Sequence, residues 1–275
     1  MKLLHLRNDK CALQVAPEVG AGVASLTWNG RNVLRPSRGQ APTDLAMFLM
    51  VPWANRLAGP DARGIAPNVP ADIHPIHGWG WQAIWDVVQN SESTIVLGYQ
   101  HRDSVIGFDA EVTYELEADG LRATLQVVNK GDEGRRFGLG FHPYFPRTHQ
   151  TRLWFDAAAK WTEGADKRPE HRMLIARRPD PANVQVLPET RVNEVYEGFA
   201  GEARILDGEM VTVIRTRALA SRHLHLWTPP GEDFFCLEPQ THRSGDLSSE
   251  AGGQWLQPDE RMALALTITA SASRR

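Results

Sequence analysis

An all-β fold, a sandwich or a barrel, is predicted by three observations on this chain. Apolar and polar residues alternate with period two over most ordered-looking stretches, turn residues recur at short intervals, and helical periodicity is almost absent. The 23 glycines and 18 prolines supply the punctuation. Many short strands separated by frequent turns are the pattern of sandwiches and barrels.

Taken in order, Trp28-Asn29-Gly30-Arg31 predicts a hairpin near the N-terminus, since Asn-Gly accepts the positive φ values of a tight turn. Residues 44–50 after a Thr43 cap are expected to form about two helical turns. A strand is expected over 94–99. Residues 108–116 and 121–127 alternate strictly around Asp119-Gly120 and predict a second hairpin. Further strands are expected over 136–141, 210–216, 223–227, 234–237 and 262–269, whereas 247–254 is too rich in glycine for a helix. Residues 163–188, rich in Arg, Pro and Asp, are expected to run over the surface rather than to link two cores. No repeat of fixed period is visible, so the chain is read as one domain over 1–275.

Composition narrows the function. Of the 275 residues 42% are hydrophobic and 23% charged, a globular balance, and the net charge of -3 argues against a nucleic-acid partner. The basic residues Lys167, Arg168, Arg172, Arg177 and Arg178 are interleaved with Glu170 and Asp180 and read as a solvated surface. No stretch approaches the roughly 18 apolar residues of a membrane span. Two distant cysteines, Cys11 and Cys236, predict buried free thiols in a reducing compartment, hence a cytoplasmic protein. The N-terminal apolar run breaks at charge too early for a signal peptide.

Two segments carry proton-transfer residues directly ahead of a proline: Phe141-His142-Pro143-Tyr144-Phe145 and Leu237-Glu238-Pro239-Gln240-Thr241-His242. A residue before proline is driven into extended backbone, which predicts that His142 and Glu238 each sit at a strand end. An imidazole and a carboxylate brought to one pocket form an acid/base pair. Two more islands, Asn55-Arg56 after Trp53 and His77-Gly78-Trp79-Gly80-Trp81, combine polar, aromatic and turn residues in the manner of binding loops. Trp79, Trp81 and Trp85 are expected to share one sheet face. His74 with His77, and His223 with His225, are read as structural or sugar-contacting residues rather than metal ligands, because proline interrupts the first pair and zinc sites take three or four ligands. Dinucleotide and phosphate-loop fingerprints do not occur, so no cofactor is expected.

The order of these motifs resembles the aldose 1-epimerases, the galactose mutarotase-like proteins, over essentially the whole chain. Residues 20–34 look like the family's opening strands and Asn-Gly hairpin. Asn55-Arg56, His77-Gly78, His142-Pro143-Tyr144-Phe145 and Glu238-Pro239 match its further motifs in order. The resemblance implies a large antiparallel two-sheet β-sandwich with a sugar cleft and interconversion of the α and β anomers of a free aldose. It assigns Glu238 as base and His142 as acid, with His77 near the ring or anomeric oxygen and Arg56, beside Asn55, on a sugar hydroxyl. From the residues alone, Gln240, two places past Glu238 on the same strand face, and Trp79, in its aromatic island, are also expected to touch the sugar. The family's late-loop Asp corresponds most simply to Asn193, or to the family charge carried by Glu194 if the register slips by one. A hexose-6-phosphate epimerase is the alternative, with Arg147 and Arg243 as phosphate clamps. A non-catalytic sugar-binding domain is a second alternative, and a glycosidase is disfavoured for want of a second carboxylate in a comparable motif.

Overall fold

The computed structural model describes every residue except 71, 177–183, 218–221, 249 and 274–275. Two large sheets form, and every strand pairing within them is antiparallel. The first runs in the spatial order Leu4–Arg7, Cys11–Ala16, Gly22–Trp28, Met47–Met50, Gly140–Pro146, Phe234–Gln240, His223–Thr228, Val192–Glu197, Ala159–Glu163 and Pro169–Leu174. The second runs Gln185–Val186, Arg152–Phe155, Glu202–Asp207, Met210–Thr216, Arg261–Ala272, Gly120–Asn129, Gly107–Glu117, Thr94–Arg102 and Asp86–Asn90. Among the described residues helix is confined to three single turns, Pro42–Asp44, Gly59–Ala62 and Gly80–Gln82.

Burial explains why the strands differ in sequence pattern. Arg261–Ala272 alternates because one face meets the core and the other meets solvent. Met262, Leu264, Leu266 and Ile268 thereby join Leu13, Leu26, Phe141 and Phe235 of the opposite sheet in one core. Gly140–Pro146 and Phe234–Gln240 do not alternate, because both of their faces are covered. Phe141, Phe235 and Leu237 face the shared core, while Tyr144, Phe234 and Cys236 point outward into a second cluster with Phe48, Met50 and Trp81. That outer cluster floors the cleft described below.

Several expectations change here. Residues 44–50 form no helix: a single turn at Pro42–Asp44 leads into the strand Met47–Met50, whose four residues are all buried. An all-buried apolar run lacks any period that separates helix from strand, and two neighbouring strands decided it. The strand expected over 136–141 divides into Arg135–Phe137 and Gly140–Pro146, which belong to different sheets. Within 163–188, Pro169–Leu174 extends the first sheet by pairing with Ala159–Glu163. The Trp81 region is a helical turn, so the three tryptophans do not share a sheet face.

Backbone hydrogen bonds tie the loop that covers the outer face to the end of the strand Met47–Met50. Val51 donates to the His77 carbonyl at 3.2 Å, and Trp79 returns a bond to the Val51 carbonyl at 3.1 Å. Gly78 sits between them at φ +71°, where an added Cβ would lie 2.0 Å from the Val51 oxygen. Gly30 shares the left-handed conformation but faces open space. Gly30→Ala is therefore expected to cost about 1 kcal/mol, the left-handed penalty alone. Gly78→Ala adds an immovable backbone clash, for a loss on the order of 3 kcal/mol. Chemical denaturation of both variants measures the difference; equal losses would show that the loop is not held at Gly78.

Candidate active site

His142 and Glu238 lie on neighbouring central strands. The ladder pairs Gly140 with Gln240 and resumes at Tyr144 with Cys236, which sets His142 opposite Glu238. Their side chains meet, His142 Nε2 to Glu238 Oε1, at 3.2 Å, and both residues are buried. The expectation of strand ends is corrected: both residues are inside strands. Proline usually avoids central strands because it withdraws a ladder donor. Here Pro143 and Pro239 fall within the stretch where the ladder between the two strands is interrupted, each withdrawing one donor from it.

Burial acts on this pair in opposite senses. It drives the Glu238 carboxyl well above the usual carboxylate range, against a smaller opposing pull from Arg56. It drives the His142 imidazole well below its usual range, helped by His77 and His225 nearby. The pair therefore favours one shared proton, and its titration belongs to both groups together. Phe48 stacks on the imidazole with ring centroids 4.2 Å apart.

A cleft of about 420 Å³ opens above the pair, within the range of small-molecule sites. His77 enters it edge-on to His142, with centroids 5.4 Å apart. The Asn55 N–H donates to His77 Nδ1 at 3.1 Å, so the ring proton of neutral His77 resides on Nε2. Burial, with Arg56 and His225 adding to it, keeps this imidazole neutral. Both residues adopt positive φ, +56° for Asn55 and +60° for His77, and the two backbones bond each other.

A directional chain of side chains forms one wall. Asn55 Nδ2 is 3.1 Å from His225 Nδ1, and His225 Nε2 is 2.7 Å from Asn193 Oδ1. Asn193 Nδ2 then donates to Glu163, whose other oxygen pairs with Arg191. With Glu163 ionised, each direction in the chain follows: Asn193 must donate to it, its oxygen must accept from His225, and His225 must accept from Asn55. Burial would raise Glu163, but the Arg191 and Asn193 hydrogen bonds outweigh it and hold the carboxyl below its usual range.

The structure thus brings Glu238, His142, His77, Asn55, Arg56 and Asn193 to one cleft. Arg56 is already engaged: Nε and Nη2 clasp Asp72 at 2.9 and 2.6 Å. Asn193 and not Glu194 faces the cleft; Glu194 is held by Lys160 and Tyr196. Gln240 and Trp79 do not line it. Gln240 is buried and donates to Ser244 at 3.2 Å, while Trp79 packs edge-on against Trp53 and stacks on His101. Trp81 and Trp227 supply the aromatic walls instead. Trp81 carried a sequence signal in its glycine-flanked island, whereas Asp72, Glu163 and Trp227 carried none.

The expected phosphate clamps are displaced. Arg147 donates to the Pro188 carbonyl, and Arg243 pairs with Asp246 while stacking on Trp161. The described part of the basic cluster lies at the surface as expected, with Lys167 and Arg172 exposed, and it is engaged there: Lys167 lines the cleft, Arg168 pairs with Asp166, and Arg172 pairs with Glu197. Arg177 and Arg178 lie outside the described residues. Lys167 occupies the hairpin tip closed by Gly164 and Arg168, at φ +63°, a conformation that favours glycine or asparagine. Among the described residues its ammonium has no hydrogen-bond or ion-pair partner.

Comparison with known proteins matches this geometry to one family. A family model described as aldose 1-epimerase matches residues 2–269. The uncharacterized protein YphB of Escherichia coli K12 is 31% identical over 277 residues, covering 92% of each chain. A solved structure from Escherichia coli K12, described as a candidate aldose 1-epimerase, superimposes with a TM-score of 0.91 at 28% identity and covers 99% of both chains. A galactose mutarotase-like protein of Clostridium acetobutylicum gives a TM-score of 0.79 at 16% identity, covering 98% of this chain and 95% of its own, and shows the fold alone.

The buried imidazoles make acid lability testable. Burial pushes His223 and His225 down from 6.5 to about 4, and also lowers His77, His142 and His242. Each is neutral when folded but protonates when unfolded, so its contribution is whole above pH 6.5 and is lost as pH falls towards 4. For His223 and His225 the loss is up to about 3 kcal/mol each. Glu238 acts oppositely, because its raised carboxyl gains protons earlier in the folded state, but it is one group against several. Thermal unfolding followed by circular dichroism should shift to lower temperature steadily below pH 6.5. A midpoint unchanged down to pH 5 would contradict the neutral, buried state of these rings.

Proposed function

The chain belongs to the aldose 1-epimerase family, and from that footing we propose that it interconverts the α and β anomers of a free aldose by acid/base ring opening and closure. The His142–Glu238 contact at 3.2 Å on the cleft floor carries the reading. Ring opening needs one group to take the anomeric hydroxyl proton and another to give a proton to the ring oxygen. The electron pair of the broken O1–H bond then forms the second C1–O1 bond of the aldehyde as the bond from C1 to the ring oxygen breaks and its pair takes the acid's proton. Burial favours the pair's proton on Glu238 at rest; its passage to His142 across the contact as sugar binds makes Glu238 the base and His142 the acid. Rotation about C1–C2 and the reverse transfers close the ring with the other configuration, so both groups return to their starting state.

The surrounding groups suit a polyhydroxylated ring. His77 presents Nε2–H as a fixed donor, and its neutral state avoids competing for the pair's proton. Arg56, oriented by Asp72, supports a sugar oxygen from one side. Trp81 and Trp227 offer flat apolar surface to the C–H faces of a pyranose.

General acid/base groups typically contribute a factor of about 10² to 10⁴. Glu238→Gln is expected to slow enzyme-dependent anomer exchange of α-glucose or α-galactose by at least about a hundredfold. Exchange NMR or polarimetry on freshly dissolved sugar measures it. An unchanged rate would remove Glu238 from the reaction, and no acceleration by the unaltered protein would leave a sugar-binding domain.

Lys167 favours a second reading, a phosphorylated hexose. Arg56 and Arg191 are held in ion pairs by Asp72 and Glu163, while the Lys167 ammonium lines the cleft with no hydrogen bond or ion pair among the described residues, only a longer-range attraction to Asp72. If this reading holds, hexose 6-phosphate should be the better substrate, and Lys167→Met should lower its kcat/KM about tenfold, the weight of one charge-assisted hydrogen bond. Equal turnover of glucose and glucose 6-phosphate, unaffected by Lys167→Met, would discard it.

A further inference from the structure

Cys236 takes no part in the proposed proton transfers, yet it stands beside them. It lies two residues before Glu238 on the same strand, so both side chains leave the same sheet face, and Glu238 faces His142 across the ladder. One ligand atom from each of His142, Cys236 and Glu238 falls within 4.8 Å of the other two, and all three residues are buried. Sulfur, nitrogen and oxygen in one cluster form the donor set of a borderline-soft cation such as Zn²⁺.

We propose that His142, Cys236 and Glu238 form a binding site for Zn²⁺ or a similar thiophilic cation, and that the bound ion inhibits the enzyme by occupying its acid/base pair.

The geometry is already close. Two zinc bonds of roughly 2.0–2.1 Å at a tetrahedral angle separate their ligand atoms by about 3.3 Å. His142 Nε2 and Glu238 Oε1 are 3.2 Å apart. The sulfur lies within 4.8 Å of both and completes a three-ligand face by closing to zinc-bonding distance. His142 and Glu238 line the cleft, which leaves room beside them for water or a sugar hydroxyl as a fourth ligand. Glu238 Oε2 is buried with no hydrogen-bond partner among the described residues, so a second carboxylate oxygen is available to the ion. Neutral His142 offers a lone pair without first losing a proton. Cys236 is held as the thiol by burial and by Glu238, and a dication reverses that preference. Binding therefore expels the thiol proton, and any proton on Glu238, to solvent, and strengthens as pH rises. The lone pairs that hold the ion are those that move protons, so ion and turnover exclude each other.

Binding is read with Co²⁺ as an optical probe on the full chain, independently of any sugar. A near-ultraviolet thiolate-to-cobalt charge-transfer band should appear, be displaced by Zn²⁺ and be missing in Cys236→Ser. Zn²⁺ should also protect Cys236, but not Cys11, from alkylation in the unaltered protein, measured by peptide mass spectrometry. This second arm stands even if the variant fails to fold. The inhibition arm rests on the epimerase reading. There Zn²⁺ should slow anomer exchange competitively with sugar, and Cys236→Ser should raise its inhibition constant by at least about tenfold. No thiolate band together with unprotected Cys236 would overturn the site while leaving the epimerase reading intact. A band without inhibition of a working enzyme would overturn the regulatory half alone. Absence of turnover with the band present would refute the epimerase reading and keep the site.

Discussion

Burial of an acid and a base side by side on two central strands is the constraint around which this molecule is arranged. An ionisable pair in a sheet interior must be satisfied by each other or by a ligand. The strands that carry His142 and Glu238 are covered on both faces, by the shared core on one side and by the loop over residues 51–85 on the other. That covering is what perturbs both groups, and it requires the close backbone contacts at Val51, His77 and Gly78. Two prolines in central strands fit the same arrangement, because the ladder is interrupted where they lie.

The wall facing the pair is ordered by a different principle. Two amides, an imidazole and a carboxylate alternate so that each hydrogen bond fixes the next. The charge at its end, on Glu163, sets the direction of the chain and is itself neutralised by Arg191. The asparagine at position 193 is thereby less of a departure than its lost charge suggests. A carboxylate stands one hydrogen bond behind it, on the neighbouring strand. The wall carries polar groups of settled orientation, which a sugar can meet without first reorganising them.

Where sequence reading succeeded and failed follows from what each signal depends on. Asp119-Gly120 between two alternating runs specified its hairpin, because turn chemistry and strand period are both local. Residues 44–50 were misread as helix because an apolar run with no polar face has no period to measure. His142, Glu238, His77 and Asn55-Arg56 are legible as motifs, since each stands in a short island of polar, aromatic and turn residues, and the structure gathers them in one cleft. Gln240 and Trp79 were misplaced because proximity along the chain was taken for proximity in the cleft. The helical turn at Gly80–Gln82 rotates Trp81 into the cleft and leaves Trp79 against Trp53.

By itself, then, the sequence determined an all-β architecture and most strand positions, because backbone preference and hydrophobic period act over a few residues, and it marked His142 and Glu238 by the prolines that follow them. Tertiary structure alone decided that Asp72 would hold Arg56, that Glu163 would back Asn193, and that Cys236 would share a face with the pair. Those contacts join strands and loops up to about a hundred residues apart, and their partners are ordinary residues in ordinary surroundings along the chain. Only tertiary placement brings them within bonding distance: the loop over residues 51–85 folds Asp72 back onto Arg56, Ala159–Glu163 lies beside Val192–Glu197, and Gly140–Pro146 lies beside Phe234–Gln240.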